Sequence, residues 1–367
     1  METLSTNDPG MVFRAGGGVN LPENETVNCI IRAAFGAAAT AVLADTIERQ
    51  LIAAPHYRGA CSDHFDGRKF FNAEEGEHGR RGSFFNWMLN RERGYWREWV
   101  DDPPGPPPPA RVGGGRMRVT LINHATVLLQ VDNVNILTDP IWSRRCSPFA
   151  HAGPKRHRAP GIRFRDLPPI DFVLLSHNHY DHLDLPTLHA LRMAHWPRII
   201  TPLGNDRFLR RHGLRNVIAL DWWQSFENIT LVPARHFCSR GLSDRDANLW
   251  GGFVIGGPSG HAYFAGDTGF GGHFARIAER FPSIRLAMLP IGAYLPRWFM
   301  QPVHMSPDEA VLAHAALGAA LSVPMHYGTF DLGDDGELEP IEHLRRAMDD
   351  AGNPNIAILE HGEGREV

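Results

Sequence analysis

The sequence predicts an α/β fold in which helices cover two β-sheets. Short, continuous apolar runs recur, most clearly Phe172-Val173-Leu174-Leu175, with the length and bulk of strands buried on both faces. Helix-length segments alternate with them, at residues 185–193, 274–281 and 307–317. A set of β-rich runs separated by polar breaks (residues 119–122, 126–131 and 134–137) opens the same region as a meander. Alternation of this kind builds layered sheets with helices outside them.

With 367 residues, 43% hydrophobic and 21% charged, the chain can bury a large core as one domain or two. The formal charge of −4, from 37 basic and 41 acidic residues, supplies no global attraction to nucleic acid. Cys29, Cys61, Cys146 and Cys238 lie far apart, with neither zinc-finger spacing nor the density of a disulfide scaffold. Twenty histidines are the unusual feature, because imidazole is the commonest neutral metal ligand.

Along the chain, residues 1–25 lack periodicity and read as a disordered extension. The alanine-rich run at 27–44 reads as a docked or interfacial helix, too short and interrupted to span a membrane. It leaves export open beside a cytoplasmic or peripheral membrane location. Residues 84–99 carry aromatic and apolar side chains at roughly helical spacing, a pattern that core packing explains more readily than lipid contact. The prolines at 103–109 form a stiff linker, because proline fixes φ and removes a backbone donor. These breaks divide the chain into an extension at 1–57, an arm and linker at 58–111, and a catalytic domain at 112–367.

Chemistry concentrates directly behind the 172–175 strand, in His177-Asn178-His179-Tyr180-Asp181-His182. In extended backbone, residues two apart point the same way, so His177 and His179 can address one ion, while the following turn brings Asp181 and His182 to a second. Further ligands are available at later strand ends: His236, Asp267 and His326. Other candidates are His124, at the end of the first β run, which holds a ligating group or simply packs, and Asp139, after the run at 134–138, which orients a ligating histidine or caps the turn before Pro140. Tyr180 offers a hydroxyl to a substrate phosphate, or is simply half-buried. Lys155, Arg156 and Arg158 read as a solvated basic loop, with attraction of an anionic headgroup as the sharper alternative.

A loop of the form HxHxDH followed by His, Asp and His resembles the metallo-β-lactamase superfamily, and implies its four-layer αβ/βα sandwich. Longer stretches, among them Pro296-Arg297-Trp298-Phe299-Met300 and His326-Tyr327-Gly328-Thr329-Phe330, are similar to the phospholipases D that hydrolyse N-acylphosphatidylethanolamine and to their bacterial relatives. The resemblance spans about residues 116–364. It assigns His177, His179 and His236 to one zinc, Asp181, His182 and His326 to the other, and Asp267 to both. It places His304 near the substrate phosphate and gives Asp181 the added role of orienting the nucleophile. Val303 and Leu295 stand where the family pattern has glutamine and glutamate.

The resemblance thus implies a dinuclear zinc hydrolase cleaving a phospholipid phosphodiester by a hydroxide shared between ions about 3.5–4 Å apart. Iron or manganese suits the same donors. Relatives imply a homodimer, and a lipid substrate implies peripheral membrane contact. A lactone or ester hydrolase is the alternative, since one fold hosts many substrates. A non-catalytic metal-binding protein is disfavoured by the intact ligand set, and a nuclease by the lack of a basic stripe interleaved with aromatics.

Overall fold

The apolar runs at 119–175 do become neighbouring strands, and the reason is visible in how their side chains divide. In the computed structural model, which describes residues 52–72 and 86–367, β1 (Met117–Asn123), β2 (Thr126–Val131), β3 (Val134–Thr138), β4 (Phe172–Leu174), β5 (Arg198–Pro202) and β6 (Val217–Leu220) form one sheet. Its order is β13-β1-β2-β3-β4-β5-β6, with the C-terminal β13 (Gly364–Glu366) on the edge. Val127, Leu129 and Val131 face one apolar cluster while Leu128 faces another, as the two-residue period of a strand requires. Val173 and Leu174 divide in the same way.

The second sheet runs β12-β11-β10-β9-β8-β7. Its strands are β7 (Ser225–Phe226), β8 (Ile229–Val232), β9 (Gly252–Ile255), β10 (His261–Phe264), β11 (Ile284–Pro290) and β12 (Leu321–Met325). The larger cluster joins its inner residues, such as Leu231, Phe253 and Phe264, to Leu121, Leu129 and Leu174 of the first sheet. Helices α1 (Leu185–Ala194) and α2 (Asn205–Arg211) bury Leu188, Leu191, Phe208 and Leu209 on the outer face of the first sheet. Phe274 of α3 (His273–Arg280), Leu317 of α5 (Pro307–Leu317) and Leu344 of α6 (Glu339–Asp350) join the larger cluster. A one-turn α4 (Arg297–Met300) precedes α5. Two packed sheets with helices outside each are the αβ/βα sandwich that the sequence implies.

α5 starts where its sequence says it should. Ser306 and Glu309 form a reciprocal capping box around Pro307, and Gly318 ends the helix at φ 57°.

The expectation of a helix at 84–99 is corrected. Among the described residues only 86–89 are helical, and the chain then runs extended. Gly94 passes so close to Gly336 that a Cβ would sit 2.2 Å from its nitrogen. Polar anchors then outweigh helical periodicity: Arg91 donates to Asp334 (2.8 Å), Trp96 to the Asp335 carbonyl (2.9 Å), and Arg97 to Glu337 (2.8 Å). Glu48–Val367 forms one compact unit, so this arm packs in the same body as the sheets. The expectations for residues 1–25 and 27–44 lie outside the described residues. No helix among the described residues is long and apolar enough to cross a membrane.

Candidate metal centre

Every strand that delivers a candidate ligand stops at the same edge of the sandwich. The 177–182 loop follows β4, His236 follows β8, Asp267 follows β10 and His326 follows β12 directly. Gly266, at φ 61°, makes the Asp267 approach possible, since a Cβ there would lie 2.5 Å from the Ser176 Cβ. His124, Asp139 and His326 also take left-handed backbone, with φ of 45°, 34° and 64°. Such conformations cost on the order of 1–3 kcal/mol each and concentrate at functional sites.

The side chains converge in two groups. Ligand atoms of His177, His179 and His236 lie within 4.8 Å of one another, and so do those of His124, Asp181, His182 and His326. Asp267 stands between the groups. Its Oδ2 is 3.1 Å from His182 Nε2, 3.9 Å from His177 Nε2 and 3.8 Å from His236 Nε2, while Oδ1 is 3.2 Å from His326 Nε2. Asp181 Oδ2 lies 3.1 Å from His182 Nε2 and 3.4 Å from His326 Nε2. All seven residues singled out by the sequence therefore meet in one buried cluster.

A supporting layer aims the imidazoles. Asp139 is fully buried and accepts hydrogen bonds from the Ser176 amide (2.7 Å), the Ser176 hydroxyl (2.5 Å) and His182 Nδ1 (2.7 Å). With its proton given to Asp139, the Ser176 hydroxyl accepts from His177 Nδ1 at 2.9 Å. His236 Nδ1 donates to the Val303 carbonyl at 3.0 Å. With Nδ1 protonated in all three rings, the Nε2 atoms of His177, His182 and His236 face the cluster, those of His177 and His236 as lone pairs and that of His182 as the position a cation takes in place of a second proton. His124 Nε2 lies 2.9 Å from Asp181 Oδ2 and holds that carboxylate from the far side.

Electrostatics point the same way. Burial pushes the pKa of His177 down, and His182, His179 and His236 beside it push it further. Burial is also the main cause that lowers His179, His236 and His124 to about 3. These rings are neutral, with lone pairs to share. Burial alone would raise the Asp181 and Asp267 carboxyls, but the surrounding imidazoles, His182 first, hold both well below the ordinary range. Burial disfavours a charge on His182 and His326, yet the carboxylates win, Asp267 foremost, raising His182 well above its usual value and His326 to about 9. The centre is a field that attracts positive charge. His182 Nε2, His326 Nε2 and Asp267 Oδ1 are buried and make no well-aligned hydrogen bond although the imidazoles stand 3.1–3.2 Å from the carboxylate, an arrangement that a cation would satisfy in place of a proton. The residues present fit a divalent metal centre.

Of the remaining candidates, His304 sits half-buried at the edge of the cluster, its ring centre 5.1 Å from that of His236 and 5.6 Å from that of His326. Burial lowers its pKa to about 3. Tyr180 lies with its ring face under the Arg240 guanidinium, 3.9 Å away, and packs against Ile141, Cys146 and Phe330. The reading of Lys155, Arg156 and Arg158 as a solvated basic loop holds for the partly exposed Lys155 and is corrected for the two arginines. Arg156 is buried against the Ser143 and Ile141 carbonyls, and Arg158 is buried against Glu337 and Asp102. Supports that went unread in the sequence include the Ser176 hydroxyl, the Val303 carbonyl, and Arg240, which donates to the Asn178 carbonyl inside the ligand loop and the Leu183 carbonyl just after it. An arginine four residues after His236 was the one available signal.

Comparison with known proteins agrees with this geometry. Residues 134–327 match the β-lactamase superfamily domain. The chain is 38% identical over 264 residues to N-acyl-phosphatidylethanolamine-hydrolyzing phospholipase D 1 of Caenorhabditis elegans, covering 66% of this chain and 74% of the nematode protein. It is 36% identical over 326 residues to an uncharacterized protein of Mycobacterium bovis, covering 86% and 84% of the two chains. Among solved structures it resembles the isothiocyanate hydrolase from Delia radicum gut bacteria, with a TM-score of 0.54 and 24% identity over 68% of this chain and 98% of that one. At that identity the likeness speaks for the fold alone.

Proposed function

This chain belongs to the β-lactamase superfamily, as a metal-dependent hydrolase, and from that premise we propose that it is a dinuclear zinc phosphodiesterase acting on an N-acylated phosphatidylethanolamine or a close relative. The observation that carries the proposal is the convergence of His177, His179, His236, Asp181, His182, His326 and Asp267 around one buried point. The name of the nematode relative supports the substrate class.

His177, His179 and His236 would hold one ion, Asp181, His182 and His326 the other, and Asp267 both. When bound, such a pair makes water acidic enough to attack near neutral pH and polarises a phosphoryl oxygen. The rest belongs to the chain. Asp181, pinned by His124, would accept a hydrogen bond from the attacking water and orient it. His304, neutral at the rim, offers a ring nitrogen to a phosphate oxygen. Tyr180, held against Arg240, belongs to the ligand loop itself, between His179 and Asp181. Water adds to phosphorus, the bond from phosphorus to the amide alcohol's oxygen breaks, and that oxygen leaves with a proton. Phosphatidic acid and an N-acylethanolamine are the products.

An apolar patch supports a lipid substrate and contact with a membrane surface. Trp298 and Leu89 are exposed, 57% and 84%, and Met88, next to Leu89 in the chain, is 48% exposed. Phe299 stacks on Trp87 at 5.1 Å and lies 5.6 Å from Trp298, so the helical turn that bears Met88 and Leu89 packs against the one that bears Trp298. Arg297 connects it to the site by donating to the His304 carbonyl (3.0 Å). A direct test compares turnover of N-acylphosphatidylethanolamine, of its deacylated phosphodiester and of a lactone. Phosphodiester cleavage without lactone opening is expected. Lactone opening alone would replace this reading.

A further inference from the structure

The arm that precedes the sheets reaches the metal centre through one side chain. Asn72 Nδ2 donates to the His236 carbonyl at 3.1 Å, and Asn72 Oδ1 accepts from the His236 amide, also at 3.1 Å. This is the two-bond exchange that a residue on a neighbouring strand would make, supplied here by a side chain. His236 needs it because β8 ends at Val232, four residues earlier. The same Oδ1 accepts from the Trp250 indole at 3.1 Å, and that indole also donates to the Ala234 carbonyl at 3.0 Å, so the amide is locked in orientation.

The arm that carries Asn72 is itself docked. Phe65 and Phe70 are buried, the Phe70 amide donates to the Asp246 carbonyl (2.8 Å), and the Tyr57 amide donates to that of Ala247 (3.0 Å). His64 sits between Asp63 and Asp221, 2.6 and 2.7 Å away, with its ring on Trp222. The clamp on His236 is therefore doubled: the Val303 carbonyl fixes the ring at Nδ1, and Asn72 fixes the backbone. The arm lies outside the 134–327 domain.

We propose that Asn72 is a positioning residue for the metal centre, clamping the His236 backbone so that the His177–His179–His236 site binds its ion tightly. The proposal rests on the reading of the cluster as a dinuclear metal centre.

The test uses full-length protein stripped of metal and titrated with zinc against a chromophoric chelator, then with cobalt(II) while the visible spectrum is read. Asn72→Ala removes all three hydrogen bonds. It should weaken one of the two binding steps by about ten- to a hundredfold, the usual effect of losing a partner behind a ligand, and shift the cobalt bands, leaving the other step unchanged. Asn72→Asp keeps an acceptor for His236 and Trp250 and loses only the donated bond. It should recover part of the affinity, and it carries the test if the alanine variant fails to fold. Two variants with wild-type affinities and spectra, even with a lowered melting temperature, would overturn the role of Asn72 alone. A wild type that binds fewer than one ion would overturn the metal reading beneath it.

Discussion

Asp139 touches no candidate substrate, yet replacing it should disable the centre through a proton. In Asp139→Asn one carboxylate oxygen becomes an NH2 group. The remaining oxygen can still accept from the Ser176 amide, which lies 2.7 Å from Oδ1. The NH2 then faces the Ser176 hydroxyl and His182 Nδ1, 2.5 and 2.7 Å from Oδ2. Serine can turn its hydroxyl and accept. His182 can accept only if Nδ1 gives up its proton, which moves to Nε2 and covers the lone pair that faces Asp267 and Asp181. The loss of a partner of this kind costs about 10–100-fold in metal affinity, roughly 1.4–2.7 kcal/mol. Zinc competition against a chelator measures it, with circular dichroism confirming the fold. Wild-type affinity in the variant would refute the reasoning, because it would mean that the tautomer of His182 does not depend on Asp139.

Arg158→Ala strips the buried Glu337 of one of its two guanidinium partners, and because Arg97 still compensates the charge the cost in urea unfolding should be that of a charged hydrogen bond, about 1.5–3 kcal/mol; a change within about 0.5 kcal/mol, the scale of exposed ion pairs, would instead mark the pair as solvated. Burial pulls the His64 pKa down, but hydrogen bonds to Asp221 and Asp63 more than offset it, and the value ends above the ordinary one. A raised folded pKa stabilises fully below the unfolded value of about 6.5 and loses that contribution as pH climbs through the folded value. The melting-temperature gap between wild type and His64→Gln should therefore be widest below pH about 6.5 and narrow above it; a gap constant with pH would contradict the assignment. Replacing Leu89 and Trp298 together by serine should weaken sedimentation with phospholipid vesicles and leave turnover of a soluble bis-aryl phosphodiester unchanged, since neither side chain touches the cluster. Equal vesicle binding would remove the patch from the account.

The candidate ligands were legible because metal chemistry needs rare residue types at tight spacing. Three imidazoles and a carboxylate within six residues, directly behind Phe172–Leu175, seldom gather for any purpose but holding a cation. His236, Asp267 and His326 were legible as a set, each at the end of an apolar run. The long strands and α5 were legible for the same reason: Thr126–Val131 is buried throughout, and α5 carries its own capping box. What orients the ligands was harder to read. Val303 acts through its carbonyl, which every residue possesses, and Asn72 meets His236 across 164 positions of sequence. The short strands β5 to β9 hide among mixed segments such as Val217–Leu220, half of it only partly buried. At 84–99 aromatic spacing imitated a helix, whereas Arg91 and Arg97 were committed to carboxylates some 240 residues away. Arg156 and Arg158 looked solvated for the converse reason, since their buried partners, two carbonyls and Glu337, are visible only in the fold.

The central claim is that seven converging side chains hold two ions that enable phosphodiester hydrolysis. Metal content per chain, measured together with bis-aryl phosphodiester turnover on wild type and His179→Ala, tests it most directly. The account predicts about two ions in the wild type, fewer in the variant, and turnover that falls with the lost ion. Fewer than one ion in the wild type, or turnover indifferent to His179, would contradict it.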